Sequence, residues 1–380
     1  LLLAAAVLAK DPAATADFPA LAKLCGYNVE THTVTTSDGY ILTVFRIPGK
    51  VGEAINKSMP VALLQHGLID SSDTWITNDE NLAPGFKMVD AGFDVWFGNN
   101  RGNRYSHSHT TLKPSKSVYW QFTWQHMATY DLPAMIDYIL QQTGKSKLVY
   151  IGHSEGTLQM FALLAEQPAY ADKLNIYIAL APIGTVRNMD VNLINIAAHT
   201  GLIDAITVLG IDEFLPWTST GSNLIYDECK VLNLACTSVD YIFMGMTTDY
   251  DNKDRFPVIF AHEPCGTSTL NMKHWSQMVN YNDYKMQKFD YGTKQNMAVY
   301  GTSEPPIYNI GNIRAKTAVF FGLADRLGDP RDGAWLIGQM NPQYLVYQRL
   351  DVPAGHMTFV WGKDTSYFDE VISLSKKYSS

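Results

Sequence analysis

Gly152-His153-Ser154-Glu155-Gly156 sets one serine between two glycines, directly after the apolar run Lys147-Leu148-Val149-Tyr150-Ile151 and directly before the helix-like stretch Thr157 to Leu164. A serine hydroxyl attacks a carbonyl carbon only when it is exposed, has a base to take its proton and faces donors for the oxyanion it creates. A sharp strand-to-helix turn meets the first demand, because flanking glycines let the backbone crowd and lift the serine above the sheet edge. The pattern points to acyl transfer through Ser154. The base, the acid and the oxyanion donors must come from elsewhere in the chain.

In turns of this kind the partners follow in the order serine, acid, histidine, on loops after late strands. The strand-like Thr317 to Phe321 runs into Gly322-Leu323-Ala324-Asp325, and the last strand-like stretch, Tyr344 to Leu350, runs into Asp351-Val352-Pro353-Ala354-Gly355-His356. Asp325 and His356 are the expected acid and base. Asp329, ahead of Pro330, is the rival acid, with a turn role as its alternative. His153 is the rival base, but it is expected to point away across the elbow and to pack. The oxyanion donors are expected to be two backbone N–H groups, that of Glu155 and that of Leu68 in the segment Gln65-His66-Gly67-Leu68. A plain strand-exit turn is the bland reading of His66-Gly67.

These residues need a scaffold that brings strand ends together. Apolar strand candidates at Ile41 to Ile47, Val61 to Gln65, Asp94 to Phe97, Leu148 to Ile151, Ile176 to Leu180, Thr317 to Phe321 and Tyr344 to Leu350 alternate with helical patterns. One of these, Asp131 to Gln142, has Pro133 in its first turn, Met135, Ile136, Ile139 and Leu140 on one face, and Gly144 at its end. Continuous apolar runs indicate parallel strands covered on both faces. About 135 residues separate Leu180 from Thr317, far more than a crossover requires, so this stretch is an inserted subdomain. Val191 to Leu209 reads as one or two helices, Phe214-Leu215-Pro216-Trp217 ends them, and Cys229 to Met246 is apolar and exposed-looking. An insertion at that point lies over the carboxyl ends of the strands, where ligands bind.

Composition narrows the setting. With 380 residues, 46% of them hydrophobic, the chain buries a large core and is not disordered. The formal charge of −8, with no run of Lys or Arg, excludes a polyanion-binding surface, and nucleic acid with it. Protonating all ten histidines would move that charge to +2, so the molecule is near neutrality in acid. Leu1 to Ala9 has the character of a signal-peptide core, with cleavage expected after Ala9 or after Ala16, and a buried N-terminal helix as the rival reading. No other stretch is long and apolar enough to span a bilayer. Cys229 and Cys236 are the easiest pair to bridge, Cys25 and Cys265 are distant, and four cysteines allow three pairings. Asn56-Lys57-Ser58 is an acceptor triplet for glycosylation in a turn-rich stretch. No metal or organic cofactor is called for.

The chain resembles the acid lipase family, the group of gastric and lysosomal acid lipases, over nearly its whole mature length. The resemblance is carried by Gly26-Tyr27, Thr35 to Leu42, Gln65 to Leu68, Asn99 to Tyr105, Tyr130 to Ala134, Gly266 to Ser268, Asn271-Met272, His274-Trp275, and Asp325 with Leu327, Asp329 and Pro330. It implies an α/β-hydrolase fold, with 1–16 as a partial leader, 17–185 and 312–380 as the two parts of the core, and 186–311 as a mainly helical cap and lid. It implies Ser154, Asp325 and His356 as the triad, Leu68 and Glu155 as the oxyanion hole, and Cys229–Cys236 as a lid-region disulfide. Two positions depart from the family pattern: Glu155, where Gln is usual, and Arg326, where an apolar or neutral residue is common. An ionised Glu155 aimed inward would oppose a developing oxyanion. The expected activity is hydrolysis of neutral lipid esters, triacylglycerols first and cholesteryl esters second, at an emulsion or membrane interface. The expected setting is extracellular or the lysosomal lumen, with a monomer as the expected state. A soluble short-chain esterase and a non-catalytic lipid carrier are the alternatives.

Overall fold

The computed structural model describes residues 10–191, 195, 198–231, 236 and 249–380. Its strands are β1 (Glu30–Thr35), β2 (Tyr40–Ile47), β3 (Val61–Gln65), β4 (Asp94–Phe97), β5 (Ser108–His109), β6 (Leu148–His153), β7 (Leu174–Leu180), β8 (Glu213–Phe214), β9 (Thr267–Ser268), β10 (Thr317–Gly322) and β11 (Leu345–Val352). The main sheet has the order β1-β2-β4-β3-β6-β7-β10-β11, with β5 against β2. From β4 through β11 every neighbouring pair is parallel, and only the β1, β2 and β5 edge is antiparallel. The molecule is an α/β-hydrolase fold with a mostly parallel sheet.

The apolar runs are explained by two cores, one on each face. Alternate residues of each central strand enter opposite cores: Ala62 and Leu64 against Val61 and Leu63, Val149 and Ile151 against Leu148 and Tyr150, Ala318 and Phe320 against Val319 and Phe321. A strand buried on both faces needs apolar side chains at every position. The helices Leu132–Thr143 and Glu155–Glu166 cover one face, while Phe18–Leu24, Pro84–Asp90 and Tyr367–Ser379 cover the other. Pro133 falls in the first turn of Leu132–Thr143, and Gly144 closes it with φ 67, a left-handed cap at little steric cost.

The edges differ from the sequence expectation. β1 carries the half-polar Glu-Thr-His-Thr-Val-Thr with only Val34 buried, so hydrophobicity alone does not mark it. β11 runs two residues beyond Leu350 and brings Asp351 and Val352 into the strand.

The segment between β7 and β10 holds the helices Leu202–Val208, Ser219–Val231, Phe256–His262, Thr269–Val279 and Thr293–Tyr300 and the ribbon β8–β9. The expected helices at Val191 to Leu209 fall partly outside the described residues, as does most of Cys229 to Met246. Leu1 to Ala9 lies outside them as well. Residues 10–16 are packed: Ala13, Ala14 and Ala16 are buried, Asp11 pairs with Arg255 at 3.0 Å, and His262 Nε2–H donates to the Ala13 carbonyl at 2.8 Å. Cys229 and Cys236 form a disulfide, and Cys25 and Cys265 are free thiols.

Candidate active site

Ser154 follows β6 with φ 53 and ψ −119 and is followed at once by the helix Glu155–Glu166. A non-glycine residue held there is strained, and the surroundings must over-determine it. The Ser154 N–H donates to Leu180 O at 3.1 Å, and the Ser154 carbonyl accepts from Thr157 N at 2.8 Å. The flanking glycines have separate reasons. A Cβ on Gly152 would lie 2.9 Å from the Gly156 backbone, and one on Gly156 would lie 2.6 Å from Gln65 O and 2.8 Å from His66 O. The first closes the elbow, and the second seats it against the end of β3.

His356 Nε2 lies 2.7 Å from Ser154 Oγ, and His356 Nδ1 lies 2.8 Å from Asp325 Oδ2. The three residues ride on loops after β6, β10 and β11, whose shared direction delivers them to one end of the sheet. Asp325 is 2% exposed, and its other oxygen accepts from Leu327 N at 2.9 Å and Gly328 N at 2.7 Å. This keeps the carboxylate supplied with donors while one oxygen holds the imidazole. Asp329 does otherwise: it caps the helix Pro330–Gln339 and pairs with Arg331. His153 sits behind the base. Its Nε2–H donates to the His356 carbonyl at 2.9 Å, and burial pushes its pKa down to about 3, so it stays neutral. It supports the loop of His356 and makes no contact with the serine's proton.

Gly67 brings the segment after β3 against the nucleophile, since a Cβ there would be 3.1 Å from Ser154 Cβ. Neither the Leu68 nor the Glu155 N–H meets a backbone acceptor among the described residues. His66 fixes this segment: its Nδ1–H donates to Gly67 O at 2.8 Å, and its Nε2 accepts from Asn100 N at 3.1 Å. Burial lowers the His66 pKa to about 4 and keeps the ring neutral for both bonds. The Asn99 to Tyr105 loop is fixed in turn. Arg101 reaches Asp131 at 2.8 Å and Asp38 at 2.6 Å and lies 3.9 Å over the Tyr40 ring. One buried guanidinium therefore joins three separate sequence signatures.

The Glu155 side chain is held by the helix Thr269–Val279 and by its own helix. It is 1% exposed and accepts from Trp275 Nε1 at 2.6 Å, Asn271 Nδ2 at 2.9 Å and Gln159 Nε2 at 3.2 Å. Burial pushes its pKa up to about 7 against the pull of those three donors. Spacing alone gave no signal for Asn271 and Trp275 as its partners. Arg326 pairs with Asp190 and ties the acid loop to the start of the insertion.

Ser154 and His356 open into a cavity of about 280 Å³ whose walls are mostly apolar. The sheet end contributes Leu68 and Leu327, and the insertion contributes Ile203, Ile206, Phe214 and Trp275. A hydroxyl and an imidazole opening into an apolar chamber beside Leu68 can take a carbonyl whose substituent is a hydrocarbon chain. Among the described residues no cluster of three metal-ligating side chains occurs, and no helix is long and apolar enough to cross a membrane.

The model of the partial alpha/beta-hydrolase lipase region matches residues 18–79, and that of the alpha/beta hydrolase fold matches residues 60–193. The chain is 36% identical to mouse gastric triacylglycerol lipase over 371 residues, covering 96% of this chain and 93% of that one. It is 36% identical to rat lysosomal acid lipase/cholesteryl ester hydrolase over 98% of this chain and 94% of that one. Lipase lipl-5 of Caenorhabditis elegans is 39% identical over 93% and 89%. Among solved structures, a soluble variant of monoglyceride lipase from Saccharomyces cerevisiae matches at TM-score 0.58 and 14% identity, over 93% of this chain and 98% of that one. That likeness is one of fold.

Proposed function

The chain belongs to the family of gastric and lysosomal acid lipases, and from that premise we propose that Ser154, His356 and Asp325 carry its ester hydrolysis. Ser154 Oγ attacks the ester carbonyl as His356 Nε2 takes its proton. Asp325 holds Nδ1–H and stabilises the imidazolium, and the N–H groups of Leu68 and Glu155 receive the oxyanion. His356 then protonates the departing alcohol, and water, activated by the same ring, releases the acid from the acyl-enzyme. The observation that carries the reading is the unbroken contact from Asp325 through His356 to Ser154, at 2.8 and 2.7 Å, opening on an apolar chamber.

The substrates are neutral lipid esters, with triacylglycerols first and cholesteryl esters second. Exposed apolar side chains near the chamber support an interface as the working site: Leu202 is 47% exposed, Val208 87% and Leu209 76%, a grouping that water disfavours and a lipid surface accepts. Secretion or delivery to the lysosomal lumen fits the names of the relatives. Asn56, exposed in the turn between β2 and β3, is the expected glycan site. Leader cleavage after Ala9 would preserve the packed residues 10–16, whereas cleavage after Ala16 would discard them.

The test is turnover of a triacylglycerol, a cholesteryl ester and a soluble short-chain ester, each below and above its solubility limit, at acid and neutral pH. A rise in rate as triacylglycerol passes into emulsion is expected. Equal or better turnover of the monomeric ester with no such rise would make the protein a soluble esterase.

A further inference from the structure

Met272, Trp275 and Ser276 line the chamber from the helix Thr269–Val279. Their spacing of three and four residues places them on one face. Asn271 stands one turn before Trp275 on the same helix, and both donate to a single oxygen, Glu155 Oε2, at 2.9 and 2.6 Å. The other oxygen, Oε1, accepts from Gln159 at 3.2 Å, one turn along the helix Glu155–Glu166. One carboxyl thus joins the helix that follows the nucleophile to a helix that walls the chamber. An indole N–H can only donate, and the Asn271 amide is oriented by Trp124, whose backbone N–H donates to its Oδ1 at 2.6 Å. Oε2 therefore faces two obligate donors and is an acceptor whether the group is a carboxylate or a carboxylic acid.

We propose that the Glu155 side chain is a positioning residue for acyl-chain binding, fixing the Trp275 indole as a wall of the chamber. The proposal rests on the reading above, in which the acyl chain of the ester enters that chamber. It gives a second role to a residue whose backbone N–H is assigned to the oxyanion. Glu155 is 1% exposed and Trp275 3%, so an indole N–H deprived of Oε2 would be left buried without an acceptor. The ring must then move to find one. Its movement changes the apolar surface that a hydrocarbon chain meets, and a longer chain meets more of it.

The helix itself has other anchors. Ser268 Oγ accepts from the Asn271 N–H at 2.9 Å, Lys273 pairs with Asp204 at 2.8 Å, and the His274 ring stacks on Trp124 at 4.3 Å between centroids. None of these holds the indole nitrogen, which has no other acceptor among the described residues. Removing the carboxyl therefore frees the ring while the helix backbone keeps its ties. A glutamine in its place retains the oxygen that Trp275 and Asn271 need. Gln159 Oε1 is buried with no partner, so its amide can turn and accept from the new N–H group.

The test is kcat and KM for p-nitrophenyl acetate and p-nitrophenyl octanoate, both kept monomeric, in wild type, Glu155→Gln, Glu155→Leu, Trp275→Phe and the Leu–Phe double variant. The readout is the octanoate-to-acetate ratio of kcat/KM, from which any loss common to both esters cancels. Glu155→Leu should lower the ratio by about fivefold to tenfold, mainly through KM for octanoate, which is what one lost hydrogen bond allows. Glu155→Gln should stay within about twofold of the wild-type ratio. In the Phe background no N–H remains to be held, so adding Leu should change the ratio by less than about twofold. An equal fall in both backgrounds would overturn the proposal, as would a wild-type ratio in Glu155→Leu or a Leu-like ratio in Glu155→Gln. If the Leu variant does not fold, Glu155→Ala takes its place in both backgrounds with the same expectations. A wild type that hydrolyses neither ester would instead overturn the hydrolase reading on which the proposal stands.

Discussion

Glu155→Gln should make the protein more stable at pH 8 and leave it unchanged near pH 4.5. Three donors favour the ionised carboxylate, from Trp275, Asn271 and Gln159, yet the loss of water at 1% exposure outweighs them and raises the pKa from 4.5 to about 7. That shift corresponds to about 3 kcal/mol of folding free energy, as an order of magnitude. Because the folded-state pKa is the higher one, the stabilisation is complete below about pH 4.5 and is lost as pH rises through 7. A glutamine keeps an oxygen for Trp275 and Asn271 and cannot ionise. At an unfolding entropy of roughly 2 cal/mol/K per residue, the Gln variant should gain about 4 °C in Tm at pH 8. Glu155→Leu is the control: it removes the acceptor of all three donors and should lose about 1–3 kcal/mol at both pH values. Thermal unfolding followed by circular dichroism at pH 4.5 and 8 reads all three proteins. If the Tm gap between wild type and Gln does not widen with pH, the carboxyl is not being held against ionisation.

Asp325→Asn should leave the fold intact and lower kcat on a soluble ester by about a thousandfold to ten-thousandfold, since the imidazole loses both orientation and charge compensation; a tenfold loss or less would assign the acid elsewhere. Gly156→Ala places a Cβ 2.6 Å from Gln65 O, so the elbow must shift, with about 1–3 kcal/mol of destabilisation and a parallel fall in kcat, read by urea unfolding and initial rates. A chain beginning at Asp17 should melt several degrees below one beginning at Lys10, because it lacks buried Ala13, Ala14 and Ala16 and the Asp11–Arg255 pair; equal Tm values would show that this segment contributes nothing.

The central strands, the elbow and its partners were legible because each rests on a local rule. Doubly buried strands must be apolar throughout, and Gly152 and Gly156 are required by contacts within the elbow and with the end of β3. Asp325 and His356 were expected from chain order and strand ends, and the geometry brings His356 to Ser154 and Asp325 to His356. β1 was missed because an edge strand with one buried residue has no hydrophobic signature. The partners of Glu155 were missed for a different reason: Asn271 and Trp275 lie more than a hundred residues away, and only tertiary packing brings them to the carboxyl. The concern that Glu155 would oppose an oxyanion came from its position beside Ser154, whereas its carboxyl accepts from Asn271 and Trp275.

The most direct measurement is stoichiometric labelling with a serine-directed phosphonate, followed by peptide mapping and assay of the labelled protein. One phosphonyl group per chain on Ser154, with hydrolysis lost in proportion and neither label nor hydrolysis in Ser154→Ala, is the predicted result. Hydrolysis that survives full labelling, or that persists in a folded Ser154→Ala protein, would contradict the assignment of the nucleophile and the mechanism built on it.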